Sequence, residues 1–254
     1  MIAWDNSAKV VNEKIPLSET LYAIRATQEG AAYTGRFKVY QNLDDHQIPL
    51  GSVSEFSELR YDYPSLRLLP ETKWLESTEC VMAGTGVATY WSRYWMIAGD
   101  GIYERLAVPT SGHQKMNHGE PWRIFALEPA PKQFSDDEIA FSFSASCELV
   151  FAPEGVTESR SIILPERRKT IYFSKGATDE MILNEKKSGL TVREFQILTD
   201  TQLTFGTEFW EIYGDDLERI AMGGEAASIR AWIESNSSEG WAIPDKIKIA
   251  IGRP

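Results

Sequence analysis

The sequence predicts a mainly β fold of antiparallel, sandwich- or barrel-like sheets with one or two short helices, an α+β arrangement being the alternative. Three observations predict it. Apolar residues recur at every second position in short runs, the spacing of strands with one buried face. Gly, Pro, Asp and Asn interrupt the runs at intervals too short for long helices. Large aromatics crowd one run, Thr89-Tyr-Trp-Ser-Arg-Tyr-Trp95, and such side chains suit a pleated surface.

Taken in order, residues 18–28 suggest a short helix, with Leu21, Ile24 and Arg25 on related faces. Residues 36–41 alternate as a strand and residues 42–45 follow as a turn. Residues 86–97 and 102–108 form a hairpin about Gly99-Asp100-Gly101, because Asp-Gly supplies the positive φ of tight hairpins. In residues 138–151, Phe141 and Phe143 alternate with Ser142 and Ser144, the pattern of a sheet buried on one side. Residues 152–155 are a turn, 160–164 and 170–174 are strands, and Pro165-Glu166 separates them.

The C-terminal third continues with a hairpin of residues 208–213 and 217–222 about Gly214-Asp-Asp216, closed by Gly223-Gly224. Ile229, Trp232 and Ile233 share one face of a helix over residues 225–235, and the alternation of residues 246–251 makes a last strand. Residues 190–198 resemble the opening of a helix in bacterial winged-helix regulators, Thr191 and Glu194 having capping-box spacing. The residues after it supply neither a recognition helix nor a basic face, so no function is carried over. Residues 109–137 are the least patterned and divide the chain into β-rich halves, 1–133 and 134–254. A single large domain with a long functional loop accounts for the same pattern.

Composition excludes several classes. With 254 residues, 43% apolar and 25% charged, the chain can bury a core and is not a disordered polymer. It has no run of apolar residues long enough to span a bilayer, and its start lacks the basic and apolar regions of a signal peptide. A cytoplasmic or particle-assembled location is expected. Cys80 and Cys147 lie far apart with no neighbouring cysteines or paired histidines, which points to two buried thiols rather than a zinc site or disulfide framework. The net charge of −11 arises almost wholly in residues 41–80 and 176–254, and disfavours nucleic-acid binding across the whole surface.

No nucleophile elbow, phosphate loop or dinucleotide motif is present. The pairs Asp44-Asp45, Asp136-Asp137 and Asp215-Asp216 sit in expected turns, where adjacent carboxylates serve the backbone and cannot face each other across a cleft. His113, His118 and Glu120 could hold a divalent metal, though their spacing matches no established motif; otherwise no cofactor is expected. In strand geometry Trp91, Arg93 and Trp95 share a face that, with Trp122, could contact a ligand or partner.

These residues support a non-enzymatic binding or assembly protein, a subunit of a phage-particle-like or other multi-subunit complex. One alternative is a carbohydrate-binding or carbohydrate-active protein using Trp91, Trp95 and Trp122 as platforms. Another is a ribonucleoprotein subunit gripping single-stranded nucleic acid through Arg160, Arg167, Arg168, Lys169 and Tyr172.

Overall fold

The computed structural model describes residues 10–28, 31–43, 46–56, 65–99, 101–115, 121–151, 159–201, 207–236 and 242–252. The fold is mainly β as expected, 55% strand and 25% helix. Four strands, β1 (Val10–Pro16), β2 (Leu21–Gln28), β3 (Ala31–Leu43) and β4 (His46–Phe56), form a meander in chain order. Nine more make a second antiparallel sheet: β5 (Ser65–Leu68), β6 (Trp74–Gly84), β7 (Val87–Ala98), β8 (Gly101–Gln114), β9 (Trp122–Pro129), β10 (Glu138–Phe151), β11 (Arg160–Ile163), β12 (Arg167–Lys175) and β13 (Met181–Leu183). Its order is β13-β12-β10-β9-β8-β7-β6-β5, with β11 pairing the far end of β10. The helices follow: α1 (Glu185–Ser188), α2 (Val192–Thr199), α3 (Thr207–Ile220), α4 (Ala226–Asn236) and α5 (Asp245–Ala250).

Alternation in β7 and β10 explains the layering. Tyr94 and Met96 enter one core, while Trp95 and Ile97 pack against another. The second is the interface with the four-stranded sheet, where Phe37, Val39 and Val53 meet Leu66 and Leu75. Along β10, Ile139, Phe141, Phe143 and Ala145 join the first core, and Cys147, Leu149 and Phe151 continue the same face into a third, under α3, α4 and α5. The opposite face of β10 is hydroxyl-rich, with exposed Ser142 and half-buried Ser144 and Ser146. The small sheet therefore covers the large one only on its β5–β8 side.

Four expectations meet a different outcome. Residues 21–28 are a strand rather than a helix, because the Ser18 hydroxyl accepts from the amides of Thr20 (3.3 Å) and Leu21 (3.0 Å) as a turn, after which β2 pairs on both edges with β1 and β3. Residues 208–222 are helical rather than a hairpin: Phe209, Tyr213 and Leu217 recur at four-residue spacing into the third core. A widened turn at Ala221–Glu225, with Gly224 at φ 113°, then redirects the chain into α4. Residues 246–251 are not a last strand, since Ile247 and Ile251 are buried one turn apart and Ile249 is 75% exposed. The stretch around residue 133 is no linker: it is a short 3-10 turn between β9 and β10, hydrogen-bonded neighbours in one sheet. Asp44, Asp45, Asp100 and the expected turn at 152–155 lie outside the described residues.

On one face of the large sheet a polar link runs across three adjacent strands, from an exposed arginine on β5 through β6 to β7. Glu76, 4% exposed, accepts from the Tyr94 hydroxyl at 2.8 Å and from Arg67 Nε at 2.5 Å. Burial, reinforced by the Glu76 carboxylate, pushes the Tyr94 phenol well above its ordinary value. A raised phenol leaves stability untouched below the ordinary tyrosine range. Above it the unfolded chain ionises while the folded one resists, so stability falls as pH rises. Tyr94→Phe should cost about 1–3 kcal/mol at neutral pH, and its stability should decline less than that of the natural protein between about pH 9 and pH 11. Urea melts across that range check both statements.

A candidate binding cleft between the sheet and helix α2

A split in the large sheet creates the site. β9 pairs with β8 only over residues 111–114, yet stays in register with β10 along residues 122–129. Residues 101–110 of β8 therefore carry a second edge that no described strand occupies. Pro109 sits there, where a missing amide hydrogen is tolerated. β13 lies across the gap, and Arg105 bridges it, reaching the Asp179 carbonyl at 3.2 Å and carboxylate at 3.3 Å.

Helix α2 closes one side. The Thr191 hydroxyl accepts from the Glu194 amide (3.1 Å) and the Glu194 carboxylate accepts from the Thr191 amide (2.8 Å), which completes the capping box that the sequence spacing predicts. The other end is pinned to β7, where the Thr89 and Thr201 hydroxyls share a buried hydrogen bond.

Between these elements lies a cleft of about 740 Å³. Leu106, Val108, Phe173 and Phe195 line it from the core, and Val81, Met82, Trp91 and Pro109 from the ends and outer part of β6–β8. The α2 wall is Val192, Phe195, Gln196 and Thr199, one helical face. Val192 and Ile182 at the mouth are 45% and 53% exposed. Thr89, Thr199, Thr201 and Asp200 gather at the C-terminal end of α2, and Asp200 is the one charged side chain lining the cleft among the described residues.

The residues singled out from the sequence are dispersed. Trp91 lines the cleft. Trp95 turns its Nε1–H to the Ser77 hydroxyl at 2.9 Å and packs into the core between the sheets. Arg93 lies between the Glu79 and Glu104 carboxylates, 3.4 Å from each. Trp122 is half-buried on β9 opposite Glu148. Trp91, Arg93 and Trp95 keep alternate positions of the continuous strand β7, while Trp122 stands on β9.

Arg167 turns toward α3, where it donates to the Ile212 carbonyl (2.5 Å) and the Asp216 carboxylate (2.7 Å) and stacks over Tyr213 at 5.3 Å. Arg168 pairs with Glu166 at 2.9 Å, and Lys169 donates to the Gly189 carbonyl. The Lys187 ammonium sits over the Tyr172 ring at 4.0 Å, and Arg160 is exposed on β11. A second hollow of about 700 Å³ on the hydroxyl-rich face includes Arg168 and Lys169 but also Glu128 and Glu166, so its charges balance.

His113 is exposed on β8, while His118 and Glu120 lie outside the described residues. Among the described residues no three metal-ligating side chains gather. Cys80 and Cys147 are buried free thiols, and burial pushes Cys147 up to about 12, leaving it far from a reactive thiolate at neutral pH. No helix of the described residues is long and apolar enough to cross a membrane.

No protein-family model, curated protein or solved structure matches this chain. The cleft is therefore read from its own chemistry.

Sequence reasoning missed most of the cleft. The spacing of Val192, Phe195, Gln196 and Thr199 marks one face of α2, but nothing local reveals that Leu106 and Met181 lie opposite. Gly112 permits the arrangement: a Cβ there would stand 2.5 Å from both the Phe125 ring and the Thr201 methyl. Gly112→Ala should cost about 1–3 kcal/mol by overpacking and loosen the Thr89–Thr201 link. Chemical denaturation gives the first, and faster amide exchange in residues 199–201 the second.

Proposed function

We propose that this chain is a non-enzymatic binding protein that works as a subunit of a larger assembly, of the phage-particle-like or similar multi-subunit kind. The observation that carries the reading is the cleft itself: a mostly apolar hollow of about 740 Å³ lined by a single charged group among the described residues. That size and lining suit binding. Acid–base or nucleophilic catalysis calls for at least two groups in mutual reach, a nucleophile with its base or an acid facing a base, and the cleft offers hydroxyls and one carboxylate.

Support for assembly comes from the other sheet. Among the described residues β1 is an edge strand of the four-stranded sheet and carries Val10 and Val11, 40% and 48% exposed. A strand edge with apolar side chains is a template for another chain.

Native mass spectrometry of the protein taken from its source cell should give a species heavier than the 28.7 kDa monomer. Val11→Lys should shift that species toward the monomer without altering the circular dichroism spectrum. A strictly monomeric mass with no retained partner defeats the assembly reading.

A further inference from the structure

We propose that the cleft takes up an extended peptide segment of a partner subunit, which pairs with the open edge of β8 as an added strand. This rests on reading the cleft as a binding site and adds the chemical class of its occupant.

Topology specifies that class. β8, β9, β10, β12 and β13 are joined in that order by four antiparallel pairings, so β8 and β13, at the two ends, run in the same direction. The Arg105–Asp179 ion pair links them across the gap. An odd number of strands cannot close a ring in which every pairing is antiparallel. One strand entering antiparallel to both ends completes that alternation.

The lining points the same way. Neighbouring residues of a strand turn their side chains to opposite faces, yet the cleft is lined by the unbroken runs 106–109 of β8 and 181–183 of β13. A hollow that meets whole runs lies off the strand edges, where backbone N–H and C=O groups face it. On this side residues 101–110 make no ladder to any described strand. An alkyl chain filling the space would strip water from those groups and return no hydrogen bond. An extended peptide supplies the ladder, and residues 106–110, beyond Arg105, admit about five of its residues, roughly 17 Å. Alternate side chains of the peptide then meet Leu106, Val108, Phe173 and Phe195, so apolar residues belong at those positions. The others turn to the mouth beside Ile182 and Val192.

Isothermal titration with the synthetic peptide Lys-Val-Thr-Val-Thr-Val-Lys, and its counterparts with Ile, Leu or Phe in place of Val, tests the assignment. Decanol serves as an apolar ligand with no backbone. Saturable one-to-one binding is expected for at least one peptide. Two N-methylated forms of that peptide, one blocked at the threonine amides and one at the apolar residues, separate its two edges. At least one of them should bind about tenfold more weakly, and amide exchange in residues 101–110 should slow when the parent peptide binds. Gln196→Trp, at an exposed position of α2 that lines the cleft, should fill the space and abolish binding while leaving the circular dichroism spectrum unchanged. Equal binding by the parent and both methylated forms, unchanged exchange in residues 101–110, or binding that Gln196→Trp leaves undiminished overturns strand addition. Saturable binding of decanol without any peptide also overturns it, yet keeps the cleft a binding site. Absence of binding by peptides and decanol alike overturns the cleft assignment as well, while the native-mass measurement still stands or falls alone.

Discussion

A chain of edge-to-face ring contacts holds the layers in register. Tyr94 on β7 meets Phe141 on β10 at 5.2 Å, Phe141 meets Phe173 on β12 at 5.6 Å, and Phe173 meets Phe195 on α2 at 6.0 Å. Each such pair contributes about 0.5–1.5 kcal/mol beyond its buried area. The chain also constrains geometry. β10 and β12 are adjacent strands, but β7 lies three places from β10 in the sheet order, so the sheet must curl for Tyr94 and Phe141 to touch. The parting of β8 from β9 before residue 111 relieves that curl, and the cleft is the space it leaves. The helix that borders the cleft is itself fixed at the far end of the ring chain.

β7 is the hinge of this arrangement because it is apolar on both faces. Tyr94 and Met96 serve the ring core while Trp95 and Ile97 serve the interface with the small sheet. A strand of that kind needs a layer on each side. The four-stranded sheet supplies one layer and the ring core with α2 the other. β10 is one-sided by contrast, alternating phenylalanine with serine, and its second face is only partly covered.

These differences explain what the sequence discloses. The Phe/Ser alternation of β10 and the hairpin of β7 and β8 are local patterns of period two, and both are legible. The inward position of Arg123, 7% exposed, hides β9, because a buried arginine breaks the apolar alternation that marks a strand. Gly214-Asp-Asp216 imitates a turn inside α3; a helix stabilised by packing Phe209, Tyr213 and Leu217 into a core tolerates residues that propensity disfavours. The Lys-Ile-Lys-Ile run of α5 fits either period, and only burial of Ile247 and Ile251 without Ile249 decides it. The cleft is least legible because its walls are assembled from β6, β7, β8, β12, β13 and α2, pairs of which lie more than a hundred residues apart, as Thr89 and Thr201 do.

The basic segment shows how composition alone misleads about charge. Arg167, Arg168 and Lys169 are consecutive, but a strand sends neighbours to opposite faces. Arg167 and Lys169 therefore share the core side of β12 with Ile171 and Phe173, and reach carbonyls on α3 and after α1, while Arg168 turns to Glu166. Arg167 is further held between the Asp216 carboxylate and the Tyr213 ring, a site where a lysine could not reproduce the planar contacts. A cluster that looks like a groove for phosphates in one dimension is divided by strand geometry into helix anchors and a surface ion pair.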